Sequence, residues 1–510
     1  MSRSFNALTA LAFGYVRLAV AIASGFVVLP LVLARIDSPT YSRWLVTIEI
    51  LSYLGFAELG IANLMPWLVA ERDGRKDREA LRQLLADARG CCTVSVVVYL
   101  CAFFGLWLAV PSWIGLSGGA ISPLGGAVLI VAGCTSLGFF GRMHLAALEG
   151  LQDYVFLGSL MLVQSAVGVG ATIALLLSGA GPMALAVGLT VPLVLGSVAA
   201  TWRLWQRGGD LVWGLPWPSW RGMARLAADA GGTWMGGVGG RLTLSSNAML
   251  ITAARGTDLD VIRFVCTSKL GDMLMMQSWQ IIDSGLVGLA QLHGEGRKER
   301  VRQIVALMTR LTLIGSGAAA IVILGFNPSF VALWLGPEKF GGLGLNAATT
   351  VTLLGLSLLH VLSVTSSILG YRIGAGALSF FHGLVYASLA IGLGLLWGPL
   401  GVAMAGGGTA LLVALPLLSN LQSMAVGQTL RDLLREIAVV WLPRAVIPLI
   451  AAACLGASSY GGHWEICAPV TFALGLAYVW LMRPLMIDIP LPRRLHSWTR
   501  RLRLIPGAAS

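Results

Sequence analysis

Two arginines stand inside apolar runs of this chain, Arg17 and Arg241, and each is followed by leucine. A charged side chain within a membrane helix costs about 2.5–3.5 kcal/mol or more, so it turns toward a cavity or a partner. The forked donors of a guanidinium suit phosphate or carboxylate oxygens. Binding of an anionic headgroup is the chemistry this pair can perform. The structural alternative is a static bridge from either arginine to Glu49, Glu58, Asp272 or Asp283. Neutral substitution separates the two, because a bridging arginine supports folded yield and a binding one supports only transport.

The stretch 264-290 carries Lys269, Asp272, Gln277, Gln280 and Asp283 against the composition of a lipid-facing helix. At about 100° per residue, Lys269, Asp272, Gln280 and Asp283 fall within an arc of roughly 80°, a stripe expected to line a cavity. Glu49 and Glu58 are nine residues apart and nearly opposite on an ideal helix, so only one of them faces a cavity centre unless the helix is distorted. Gly231, Gly232, Gly236, Gly237, Gly239 and Gly240 precede Arg241; they permit close helix packing, the default expectation, or a bendable segment. His360 and His382 read as satisfied polar contacts. The seven cysteines show neither CxxC spacing nor neighbouring histidines, and no metal or cofactor is expected.

The elements that position these residues follow from composition. Only 11% of the 510 residues are charged, 56% are hydrophobic and the mean hydropathy is +0.81, which excludes an ordinary soluble domain. The expected fold is an all-α polytopic membrane protein, with spans near 8-33, 44-70, 91-110, 124-141, 155-177, 182-201, 231-253, 264-290, 304-326, 345-369, 373-396, 399-421, 437-457 and 466-484. With the N-terminus inside, 25 of the 35 Lys and Arg residues fall on the inner side and 5 in outer loops. Both termini are therefore expected in the cytoplasm. The same asymmetry explains the net charge of +12 through anionic headgroups and membrane orientation, and nucleic acid is not an expected partner. The arginines of 485-510 read as a membrane-surface tail, and the tryptophans of 202-230 as an interfacial linker.

An internal repeat is expected at an offset of roughly 220 residues. The stretch from Gly74 to Gln83 corresponds to that from Gly296 to Gln303 with a two-residue gap, Pro111-Ser112-Trp113 to Pro328-Ser329-Phe330, and Arg17-Leu18 to Arg241-Leu242. The division implied is an N-lobe over 1-201, the cytoplasmic linker over 202-230, a C-lobe over 231-421, two further helices within 422-484 and the tail. Two pseudo-symmetric six-helix lobes related by an axis along the membrane normal are a transporter architecture.

Four segments carry a family resemblance: Glu58-Leu59-Gly60, Glu149-Gly150-Leu151-Gln152-Asp153-Tyr154, Leu292-His293-Gly294-Glu295-Gly296-Arg297 and the stretch from Asn327 to Gly342. With these the chain resembles polysaccharide flippases of the O-antigen (Wzx) type, in the superfamily that includes lipid II flippases and multidrug and toxin extrusion transporters. The resemblance implies alternating access in an inner membrane, moving an undecaprenyl-pyrophosphate-linked oligosaccharide to the outer leaflet for cell-surface polysaccharide or exopolysaccharide export. It implies that Arg17 and Arg241 hold the pyrophosphate; Glu49, Glu58, Asn247, Lys269, Asp272, Gln280 and Asp283 are the candidates for lining the cavity or for coupling. Membrane lipids, a polysaccharide polymerase and chain-length machinery are the partners it implies. Asn247 departs from the pattern, since many relatives carry an acid there, which puts ion coupling through that position in doubt.

Two rival readings fit the same sequence. A small-molecule exporter with two six-helix halves shares the architecture. A membrane glycosyltransferase or polymerase needs an accessible acid or base on a sizeable loop, and neither a catalytic residue set nor a nucleotide-binding motif is apparent, so no enzyme is expected.

Overall fold

The computed structural model describes residues 24–109 and 122–486. Arg17, the Pro111 segment and the basic tail lie outside the described residues. The described chain is nearly all helical, without a strand, as the composition predicts. It forms two compact units: the first runs to Thr252 and includes Thr257–Leu259, and the second comprises Ala253–Gly256 and continues from Asp260.

The first unit contains α1 (Ser24–Arg35), α2 (Ser38–Leu54), α3 (Ile61–Gly74), α4 (Arg78–Ala109), α5 (Pro123–Gly150), α6 (Tyr154–Leu177), α7 (Pro182–Arg207), α8 (Trp220–Leu244) and α9 (Asn247–Ala253), the last ending at the boundary. Local sequence fixes several starts. Asp37 accepts from the Thr40 N–H at 3.0 Å and Ser122 from the Gly125 N–H at 3.0 Å, each followed by a proline in the first turn. Helix α5 is the hub, and its glycines set how closely it is crossed. A Cβ on Gly141 would overlap Ser197 of α7, and one on Gly150 would lie 2.6 Å from the Pro66 carbonyl of α3.

At the α5–α6 corner Asp153 receives Arg203 at 2.8 Å and Arg207 at 2.9 Å. Burial raises the Asp153 pKa, but the hydrogen bonds and charges of the two arginines outweigh it and hold the carboxyl below its ordinary value.

The second unit contains α10 (Asp258–Gly294, from Asp260 onward), α11 (Lys298–Leu335), α12 (Leu343–Ser366), α13 (Arg372–Trp397), α14 (Pro399–Thr409), α15 (Leu415–Val426), α16 (Leu430–Arg435), α17 (Leu442–Ala457) and α18 (Trp464–Met482). Gly370, at φ +101°, separates α12 from α13. Wider π turns at Ala410–Ala414 and Glu436–Trp441 join α14 to α15 and α16 to α17.

Several sequence boundaries shift. The span expected over 124-141 continues as helix to Gly150, because the charge at Arg142 ends an apolar run without breaking a helix. The segment from Asn327, expected as a loop, is helical through Pro328 to Leu335. Pro328 leaves the Leu324 carbonyl without its helical donor, and Gly456 of α17 packs directly on that carbonyl, where a Cβ would collide. Helix α8 runs unbroken through its glycines and stops only at Ser245. Gly237 faces Phe56, 3.0 Å from a built Cβ, which is the close-packing outcome.

Among the described residues ten helical stretches are long and apolar enough to cross a membrane, with Leu343–Trp397 taken as one. Helices α8 and α10 fall outside those ten because glycine and charge dilute them. The contact boundary after Thr252 places α8 with the first unit, whereas the sequence division started the second lobe at 231.

Candidate functional site

The expected second span is not one helix. A 3₁₀ turn over Gly55–Glu58 follows α2, and Leu59 (φ +55°) and Gly60 (φ +71°) then take left-handed conformations before α3 begins. Gly60 is needed twice over, since a Cβ there would also lie 3.1 Å from the Trp234 backbone nitrogen. This break invalidates the ideal-helix geometry that set Glu49 opposite Glu58. It presents Glu58 to a cavity of about 500 Å³ in the first unit, shared with Ser52, Asn63, Arg142, Trp234 and Arg241.

Glu58 is buried and meets Arg142 of α5 at 3.0 Å, while its other oxygen accepts from the Ala62 N–H at 3.2 Å. The Arg142 guanidinium lies 4.8 Å from the Phe139 ring centroid. The pair is close but poorly aligned, leaving Glu58 Oε2 and Arg142 Nε without hydrogen-bond partners among the described residues. Such groups carry a desolvation cost until water or a ligand reaches them.

Arg241, near the end of α8, donates from Nε to the Ser52 hydroxyl at 2.8 Å. Among the described residues none of the four acids considered as a static partner forms a salt bridge with it, although the Glu49 carboxylate lies close enough to act on it electrostatically. Glu58 is taken by Arg142, and the Glu49 carboxylate accepts from the Ala248 and Met249 N–H groups at 3.1 and 2.7 Å, at the start of α9. Tyr53 and Ser246 hydroxyls bond each other, and Ser246 donates to the Arg241 carbonyl at 3.0 Å. Asn247 is the first residue of α9 and half-buried. The cavity therefore brings together Glu58 and Arg241 from the predicted set. Two guanidiniums and one carboxylate line it, and the Glu49 carboxylate acts on Arg241 from just outside the lining.

Lys269, Asp272, Gln280 and Asp283 all lie on the continuous helix α10 of the second unit, which preserves their common stripe. Asp283 meets His360 of α12 at 2.9 Å, and the imidazole stacks on Trp279 with centroids 4.2 Å apart. Asp272 is exposed and accepts from Ser268 at 3.4 Å. His382 contacts Thr409 at 3.2 Å. A separate polar cavity of about 300 Å³ lies among Arg302, Thr309, Gln422, Asp432 and Glu436.

Sequence reasoning missed Arg142, Ser52 and Trp234. The apolar run over 124-141 ends just before Arg142 and leaves it outside the expected span, yet Phe139, Phe140 and Met143 around it give no helix-stopping signal. Ser52 and Trp234, whose indole donates to the Phe56 carbonyl at 2.9 Å, carry no charge to mark them.

No protein-family model and no curated protein matches the sequence. Solved structures do. The inward-facing conformation of a multidrug resistance MATE family transporter of the MOP superfamily is 15% identical, with a TM-score of 0.60 over 82% of this chain and 99% of that one. The outward-facing conformation of a transporter so described is 15% identical, with a TM-score of 0.56 over 85% and 96%. A MOP superfamily transporter from Pyrococcus furiosus Vc1, whose binding pocket of reverse polarity suggests a different function, is 14% identical, with a TM-score of 0.57 over 82% and 95%. The chain thus has the fold of MATE transporters of the MOP superfamily.

Proposed function

We propose that this protein is an alternating-access transporter of the cytoplasmic membrane and that the cavity of its first unit holds the substrate. The carrying observation is the break at Glu58–Gly60 beside a largely apolar cavity that holds the guanidiniums of Arg142 and Arg241, the latter hydrogen-bonded to the Ser52 hydroxyl. Inward- and outward-facing structures of the same fold support the transport cycle. Multidrug transporters among the neighbours, and a cavity of about 500 Å³ within the size range of drug-sized sites, favour export of a small amphipathic molecule. Two guanidiniums against a single lining carboxylate favour an anionic one. The reversed pocket polarity of the Pyrococcus protein supports such variation within the fold.

A second reading is favoured by the same guanidiniums: translocation of an undecaprenyl-pyrophosphate-linked oligosaccharide from the cytoplasmic to the outer leaflet. Arg241, together with Arg17, would then hold the pyrophosphate. A polysaccharide polymerase and chain-length machinery belong to this reading.

The test is uptake of a fluorescent amphipathic anion into inside-out vesicles containing the full chain or Arg241→Gln at equal abundance. Saturable uptake by the parent, with a strongly reduced initial rate in the variant, is expected. Equal uptake by both removes Arg241 from the site. Absence of anion uptake, with lipid-linked oligosaccharide trapped in the inner leaflet of depleted cells, selects the flippase reading.

A further inference from the structure

Helix α4 has 32 residues, about 48 Å at 1.5 Å per residue, against a hydrocarbon core of about 30 Å. Its charges occupy only the first part: Arg78, Glu79, Arg82, Asp87 and Arg89 are followed by a charge-free run from Gly90 to Ala109. The first dozen residues therefore stand at headgroup depth.

The linker between α7 and α8 is strapped to this same portion. Arg78 meets Asp210 at 2.6 Å, Arg82 donates to the Gly214 carbonyl at 2.6 Å, and the Ser219 N–H donates to Asp87 at 2.7 Å. Gly90 allows the approach, because a Cβ there would lie 2.7 Å from Pro218. The Arg78 hydrogen bond holds the Asp210 carboxyl below its ordinary pKa. The strap is consequently pinned with its indoles outward: Trp213, Trp217 and Trp220 are 70%, 92% and 77% exposed. Arg78 and Arg82 are neutralised by Asp210 and Glu79. Arg221 and Arg225, one turn apart at the start of α8, are exposed and have no ion pair among the described residues.

We infer that the strap over 208-225 is a docking surface for anionic phospholipid, with Trp213, Trp217 and Trp220 seated in the headgroup region and Arg221 and Arg225 selecting negative headgroups. Indoles favour the interface, and each basic residue near a negative surface contributes about 1 kcal/mol. Two such residues correspond to roughly 30-fold enrichment of anionic over zwitterionic lipid at low salt.

The experiment reconstitutes the full chain and Trp217→Phe in phosphatidylcholine vesicles containing small equal fractions of brominated phosphatidylglycerol or brominated phosphatidylcholine. Trp217 emission is taken as the difference between the two proteins. Stronger quenching by the brominated anionic lipid is expected, diminishing as salt is raised on the unaltered protein and abolished in Arg221→Gln/Arg225→Gln. Equal quenching by both lipids overturns the selectivity. Quenching by aqueous iodide with none by either brominated lipid overturns the placement. The salt titration needs no arginine variant, so a folding defect leaves the inference testable.

Discussion

Arg142→Met tests the reasoning about the cavity most directly, because it strips the partner from a carboxylate that is only 8% exposed while Arg142 itself is 39% exposed. Removing one member of a buried pair costs about 3–5 kcal/mol, since the remaining charge is left uncompensated. The partial exposure of Arg142 places the expected loss at the lower end, about 3 kcal/mol. Glu58→Gln is expected to cost much less, about 1 kcal/mol: the stranded guanidinium still reaches water, and glutamine keeps an acceptor for the Ala62 N–H. The double variant Glu58→Gln/Arg142→Met should stand within about 1 kcal/mol of the parent, because neither charge remains. Unfolding free energies from reversible SDS titration of the purified chain provide the measurement. The order, with Arg142→Met alone strongly destabilised, is the critical result. A double variant as unstable as Arg142→Met would refute the burial argument, and so would Glu58→Gln falling as far as Arg142→Met.

Three further outcomes follow from the packing and the corner charges. Asp153 has a depressed folded pKa, so its stabilising contribution is complete above the unfolded value of about 3.9 and is lost as pH falls through the folded value. Asp153→Asn should therefore be less stable than the parent at neutral pH and should lack that acid-dependent loss, measured by unfolding titrations across pH. Gly456→Ala drives a methyl into the Leu324 carbonyl and should cost about 1–3 kcal/mol, whereas Gly475→Ala in α18, with open space beside it, should be neutral or stabilising in the same assay. Asn327 is fully buried and donates to the Thr267 carbonyl and the Asn346 side chain, each at 2.8 Å. Asn327→Ala should lower stability by about 1–3 kcal/mol without a selective effect on transport at matched abundance.

The all-helical membrane class was legible because lipid imposes it on composition. Helix ends were less so, since a hydropathy run ends at the first charge but a helix ends only where its backbone is stopped. Arg142 illustrates the difference. The family-like segments turn out to be joints. Glu58-Leu59-Gly60 is the helix break, Gly150 and Asp153 form the α5–α6 corner, and Asn327 ties α11 to α10 and α12. Sequence singled them out because close approaches and left-handed turns demand particular residues. The same demands say little about cargo. Glu58 and Arg241 were visible as costly charges, but their partners were not: pairing depends on a bend between Glu49 and Glu58 that periodicity cannot encode.

The charge of the cavity carries a consequence for energetics under the proposed function. An anion leaving a cell with an inside-negative potential gains about 2.3 kcal/mol per charge per 100 mV if its charge moves uncompensated. That is roughly a 50-fold gradient for a monoanion, with no coupling ion required. Collapsing the potential with a potassium ionophore, at fixed pH on both sides, should then reduce the steady-state anion gradient by about that factor. A neutral substrate carried by the same protein should be unaffected, and a cation should respond in the opposite sense. Arg241→Gln should slow the approach to steady state without altering its endpoint, because a binding residue changes rates while the potential sets the equilibrium. An anion gradient indifferent to the potential would refute uncompensated charge movement and require a counter-ion to travel with the substrate or against it.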